Sequence, residues 1–153
     1  MKKFKYSMEN ILQINVKLED QAKINYSNAR YQLTVEEEKL AVINNRKKSY
    51  ENELRNLRRS KLNLLKMKEC EEAIDVMDYL KKEQITLVKN ARNRLEIARI
   101  RLTNAVKERK IQEKLKERAW EEYMLEYEAY EQKEIDQINS FKFHEPRLTK
   151  EGR

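Results

Sequence analysis

The sequence predicts an all-α fold in which two long helices form an antiparallel coiled-coil hairpin. Three observations predict it. The only glycine and the only proline of the 153 residues, Gly152 and Pro146, lie among the last eight, so Met1–Glu145 lacks the two strongest helix punctuators. Lys, Glu, Leu, Arg, Gln and Ala dominate the chain, and all are strong helix formers. The apolar residues recur in steps of three and four, the spacing of a seam that meets one partner helix. Charged residues make up 40% of the chain and mean hydropathy is −1.02, which suits one narrow buried stripe per helix rather than a thick core.

The first helix is predicted from a seam that begins Ile11, Asn15, Leu18, Ala22, Tyr26, Ala29, Leu33 and continues through Leu40, Ile43, Tyr50, Leu54 and Leu57 to Leu64. Two consecutive steps of four, Leu18 to Ala22 to Tyr26, predict a local unwinding of the supercoil. Glu36, Lys47 and Lys61 interrupt the stripe, which speaks against a long parallel dimer. The second helix is predicted from Val88, Ala91, Leu95, Ala98, Leu102 and Ala105, in which large and small residues alternate. Ile111, Leu115, Trp120, Tyr123, Tyr127, Tyr130, Ile138 and Phe141 carry the pattern onward.

Between Lys66 and Glu72 the seam blurs, and the turn is placed there. Residues 1–143 are thus read as one hairpin with arms of about 60–70 residues, roughly 90–105 Å long at 1.5 Å per residue. Residues 144–153 are read as a flexible basic tail. One continuous helix that dimerises is the alternative. If the first arm starts near Phe4, the aromatic group from Trp120 to Tyr130 packs near Phe4 and Tyr6.

Chemistry finds little purchase. The single histidine, His144, lies in the expected tail, and no glycine-rich phosphate loop can exist. Cys70 is the only cysteine, so no intrachain disulfide can form, and the lone thiol fits a reducing compartment. The carboxylates of Glu121–Asp136 are read as solvated helix faces, because no histidine accompanies them at metal-binding spacing. No catalytic, cofactor-binding or metal-ligating residue is therefore assigned, and the chain is not expected to be an enzyme. The formal net charge of +7 permits acidic partners without requiring nucleic acid. The basic run Asn90–Arg94, with Ala98 and Arg99 after it, superficially suggests a bZIP basic region. The seam, however, passes through it at Ala91 and Leu95, whereas a true basic region precedes its leucine seam. No run reaches the ~20 apolar residues of a membrane span, and the N-terminus lacks the apolar segment of a signal peptide, so a cytoplasmic protein is expected.

Charge shifts along the C-terminal half. Lys107–Arg118 carries six basic residues against Glu108, Glu113 and Glu117, and Glu121–Asp136 then carries seven acidic residues against Lys133. This segment, Lys-Glu-Arg-Lys-Ile-Gln-Glu-Lys-Leu-Lys-Glu-Arg from Lys107, then Tyr123, then Glu-Gln-Lys-Glu-Ile-Asp ending at Asp136, resembles the signature of the flagellar FliJ family. Phe4, Tyr6, Leu12, Glu19, Ala22 and Ala29 resemble the family's opening. The resemblance runs from Phe4 to about Phe143.

The resemblance implies a component of the flagellar type III export apparatus, similar to the stalk subunit of rotary ATPases. It implies that the end carrying both termini docks in the export ATPase ring (FliI) and promotes its assembly and activity. It also implies contacts with the cytoplasmic domain of the export gate (FlhA) and with export chaperones. Association with the inner face of the membrane would be indirect, through the apparatus at the flagellar base. At the ATPase end the expected contact residues are Arg118, Tyr123, Gln132, Lys133 and Asp136, with Tyr123 also a candidate for the seam. On the gate surface the best matches are Ile43, Tyr50 and Tyr79, while Arg46 and Glu83 depart from the family's apolar pattern. Two alternatives stay open: an injectisome counterpart or other stalk coiled coil, and a basic helical nucleic-acid-binding protein.

Overall fold

A computed structural model describes the backbone of residues 1–59 and 63–151 and the side chains of 1–59 and 63–143. It contains two α-helices, α1 (Glu9–Arg59, 51 residues) and α2 (Leu64–Glu151, 88 residues), packed against each other as a helical hairpin. No strand occurs among the described residues.

The arms are unequal, and the turn is not where the seam blurs. Lys66–Glu72 is helical, within the first turns of α2. Asn63 caps that helix: its side-chain oxygen accepts from the Lys66 amide at 3.2 Å, and its carbonyl accepts from the Met67 amide at 3.0 Å. At the other side of the break α1 closes on Arg58 and Arg59, cations at the negative end of its dipole. The predicted blur has a simple cause. Its seam position is Cys70, a small thiol set among charges, yet Cys70 is buried. Burial, then the neighbouring Glu53 carboxylate, pushes its pKa up. Lys61, one of the expected interruptions, lies outside the described residues. So do Gly152 and Arg153; the expected tail is otherwise not set apart, since α2 runs to Glu151.

The chain divides into two compact units, one made of Leu18–Ala105 and the other of Met1–Lys17 with Val106–Arg153. In the first, which includes the break, the helices run antiparallel. Arg58 faces Glu71 (4.0 Å), Lys47 faces Asp78 (2.6 Å), and Glu36 meets Gln84, whose amide donates to the Glu36 carbonyl at 2.9 Å and to its carboxylate. Two of the charges that interrupt the seam, Glu36 and Lys47, are thus answered directly across it. The Asp78 carboxylate, by hydrogen bond, holds the Lys47 pKa up. The seam buries Ala29, Leu54, Met77, Val88, Ala91 and Ala98, and Ala91 has no exposed surface at all. Leu95 and Leu102 are half-buried.

The expected unwinding near Ala22 is absent from the seam. Along α1 the positions Leu12, Asn15, Glu19, Ala22, Tyr26 and Ala29 are buried or half-buried and alternate in steps of three and four, with Val16 half-buried beside Asn15. Glu19, only 5% exposed and 3.7 Å from Lys23, holds the place that apolarity assigned to Leu18. Leu18 points outward, as does Ile11, whose place Leu12 takes.

In the second unit Met1–Ser7 lies as a non-helical strap against α2, and Glu9 opens α1. Here too the numbers run in opposite directions. Glu9 pairs with Lys116 at 2.9 Å, the Tyr6 hydroxyl donates to Gln112 at 3.1 Å, Phe4 meets Trp120, and the Tyr123 hydroxyl donates to the Lys2 carbonyl at 2.7 Å. The seam on α2 continues through Arg109, Gln112, Lys116 and Ala119 to Tyr123. Ile111 and Leu115, expected in the seam, are 53% and 39% exposed instead. Beyond Tyr127 every described residue of α2, 128–143, is exposed.

Candidate functional site

Two faces hold the residues singled out from the sequence. The first lies in the unit that carries the chain's N-terminal strap. Its anchor is an aromatic cluster. Phe4 presents an edge to Trp120 at 5.1 Å between ring centres and lies 5.4 Å from Tyr123. Trp120, Tyr123 and Tyr127 then stack along one side of α2 at 5.7 and 6.2 Å. The i, i+3 and i, i+4 spacing of the three places their rings on one face. The expected packing of this group against Phe4 is seen. Tyr6 instead packs one step along, its hydroxyl on the buried Gln112. The neutral phenols are held by acids: hydrogen bonds to Glu131 and Glu134 push the pKa values of Tyr127 and Tyr130 up.

The five residues expected at the ATPase end do not form one constellation. Tyr123 is half-buried in the aromatic stack and bonded to the strap, so it fixes Met1–Ser7 on α2. Arg118 is exposed and off the seam. Gln132, Lys133 and Asp136 are exposed on the stretch of α2 beyond Tyr127, where the Gln132 amide donates to Asp136 at 3.0 Å. Arg118 and Lys133 are four turns apart on one helix, roughly 22 Å, so a partner meets them separately. Sequence reasoning missed the exposed apolar residues that accompany them. Ile11, Ile14, Ile111 and Leu115 lie outside the seam, and Ile135, Ile138 and Phe141 follow on the final stretch. The signal was present in the regular three-four count through Gln112 and Lys116, which apolarity alone overrides.

The second face lies in the Leu18–Ala105 unit. The Lys47–Asp78 bond marks the level at which α1 and α2 meet there. Tyr79 adjoins Asp78 on α2, and Ile43 and Tyr50 lie one turn to either side of Lys47 on α1. The three residues therefore share one level of the hairpin. Ile43 and Tyr50 are half-buried, whereas Tyr79 is 61% exposed with its hydroxyl on Glu83 at 2.8 Å, which pushes its pKa up. The earlier turn sets Tyr79 well inside α2 rather than beside the break. Arg46 lies with Val42, Ser49 and Tyr50 along a shallow groove on α1.

Among the described residues no group of three or more His, Cys, Asp or Glu is placed to hold a metal ion, and no helix is long and apolar enough to cross a membrane. Arg92 and Arg99, in the basic stretch, are engaged by Glu37 and Glu96.

Neither a curated protein nor a solved structure matches the chain. A protein-family model does: that of the flagellar FliJ protein matches residues 4–148, nearly the whole chain and both faces described above. The chain is a member of the flagellar FliJ family, a family of export-related coiled-coil proteins.

Proposed function

We propose that this FliJ-family protein docks in the export ATPase ring (FliI) through the unit that carries its N-terminal strap, promotes assembly and activity of that ring, and links it to the export gate (FlhA) and to export chaperones. It acts in the cytoplasm, held at the inner face of the membrane at the flagellar base only through the apparatus. The observation that carries this reading is the exposed stretch 128–143, where Tyr130, Ile135, Ile138 and Phe141 stand among carboxylates, uncovered by any helix among the described residues. Aromatic and aliphatic anchors ringed by charge suit a partner that must be gripped and released. Arg118, Gln132, Lys133 and Asp136 make direct contacts in this reading. Tyr123 acts by holding the strap.

The gate surface is Ile43, Tyr50 and Tyr79, gathered at one level by the Lys47–Asp78 pair. Reversing charge at Arg118 and Lys133 should reduce stimulation of the purified ATPase and flatten the salt dependence of binding, with helicity unchanged. Stimulation equal to the parent's at every salt concentration would assign the ATPase contact elsewhere. Ile43, Tyr50 and Tyr79 replaced together by Ala should weaken binding to the gate domain and leave ATPase binding intact; unchanged gate affinity rejects that surface.

A further inference from the structure

A groove of about 590 Å³ opens between α1 and α2 within the Leu18–Ala105 unit, away from the residues assigned above. Its floor is low because Ala22, Ala98 and Ala105 stand where longer side chains would fill the space. Leu18 and Ile97 rise beside it, each at least half exposed. The only charged residues lining it are Arg94 and Arg101, and Gln21 and Asn25 line the opposite wall. Neighbouring Arg92 and Arg99 are engaged by glutamates, but Arg94 and Arg101 have no ion-pair or hydrogen-bond partner among the described residues.

We propose that this groove receives an amphipathic helix of a partner protein, whose apolar stripe fills the alanine floor and whose carboxylates meet Arg94 and Arg101. Both walls are helices whose backbone groups are already paired, so an extended peptide would bury amides without partners, whereas a helix brings its own satisfied. Arg94 and Arg101 are seven residues apart, about 10 Å and nearly in line along α2. Carboxylates seven residues apart on the incoming helix match them. The apolar floor and the absence of any lining carboxylate favour an acidic helix over a basic one. This proposal is independent of the ATPase and gate surfaces.

The test uses the full chain and two stapled, fluorescently labelled helical peptides with the same leucine stripe, one flanked by glutamates at seven-residue spacing and the other by lysines. Fluorescence anisotropy should show saturable binding of the glutamate peptide, roughly tenfold or more tighter than the lysine peptide, a difference of about one oppositely charged contact. The exposed pair R94E and R101E should reverse the preference without changing the helical circular dichroism. Failure of the glutamate peptide to bind, equal binding of both peptides, or an unchanged preference in the double variant would overturn the proposal. A single-stranded oligonucleotide that displaces the peptide and itself depends on Arg94 and Arg101 would reassign the arginines to phosphate and also overturn it.

Discussion

The Leu18–Ala105 unit and the unit formed by Met1–Lys17 with the C-terminal stretch of α2 use one seam period with opposite chemistry. In the former the seam is filled by Leu54, Met77, Val88, Ala91 and Ala98, and its few polar members, such as Glu36 with Gln84, are matched across the pair. In the latter the corresponding places hold Gln112, Lys116 and Arg109, while Ile111 and Leu115 face outward. Tyr6, Leu12 and the aromatic cluster at Phe4 take over the role of the core. The difference teaches that seam position and apolarity are separable. Where a helix must also serve an external partner, polar groups can hold the internal register by hydrogen bonds and leave the apolar side chains free for the contact outside.

The comparison breaks most readily at the aliphatic seam. Leu54→Ala should cost about 2–4 kcal/mol and lower the melting temperature by several degrees, because Leu54 is buried against α2 and truncation leaves a cavity. Leu95→Ala, at a half-buried site, should cost less. A loss below about 0.5 kcal/mol at both would show that the aliphatic seam carries little of the stability. In the other unit Phe4→Ala removes two ring contacts and should cost about 1–3 kcal/mol locally. Hydrogen exchange should show lost protection near Trp120 and Tyr123 and none near Leu54. A uniform loss across both regions would mean that they open together and that the division between them has no energetic meaning.

The fold class was legible in the sequence because breakers are confined to the last residues and the three-four spacing persists. The turn was not, because it rests on Asn63 as a cap after two arginines, a local signal weaker than the apparent gap around Cys70. The seam was legible from Tyr26 to Leu57 and from Val88 to Ala105, where apolar residues occupy it at every place but Glu36 and Lys47. It was misread by one position at Leu18, where Glu19 is the buried residue, and at Ile111, where Gln112 is. Apolarity marks what can be buried, but which stripe is buried depends on the partner helix, and a satisfied polar residue leaves no trace in a hydropathy count. The aromatic packing at Phe4 was legible only as a cluster expected near the start of the first arm; its register, Phe4 against Trp120, goes with a break before Leu64 rather than at Lys66–Glu72. The exposed apolar residues of the final stretch gained their meaning only once α2 proved the longer helix.

Smaller effects sharpen the contrast. Tyr6→Phe removes the hydroxyl that satisfies buried Gln112 and should cost about 1 kcal/mol by thermal or urea unfolding, since a hydrogen bond is lost and its partner stays buried. Leu115→Ser, on the outward face, should change stability by less than about 0.5 kcal/mol. If Leu115→Ser proved the costlier of the two, the apolar stripe would be the true seam of this unit after all.

The smallest expected effect is a pH dependence confined to the strap-bearing unit. The Lys116 ammonium, and next the Gln13 amide, hold the Glu9 carboxyl below the ordinary glutamate value. A lowered folded-state pKa means that the unfolded chain binds the proton more readily. The contribution is therefore fully present above the unfolded value and is lost as pH falls through the folded one. Thermal unfolding followed by hydrogen exchange near Glu9 and Lys116 should thus show parent and Glu9→Gln diverging at neutral pH and converging in acid. High salt should shrink the neutral-pH gap, because the pair is only half-buried and so partly screened. A gap that persisted unchanged into acid would show that Glu9 acts through its packing rather than its charge, and would remove the ion pair from the interactions that set the register of this unit.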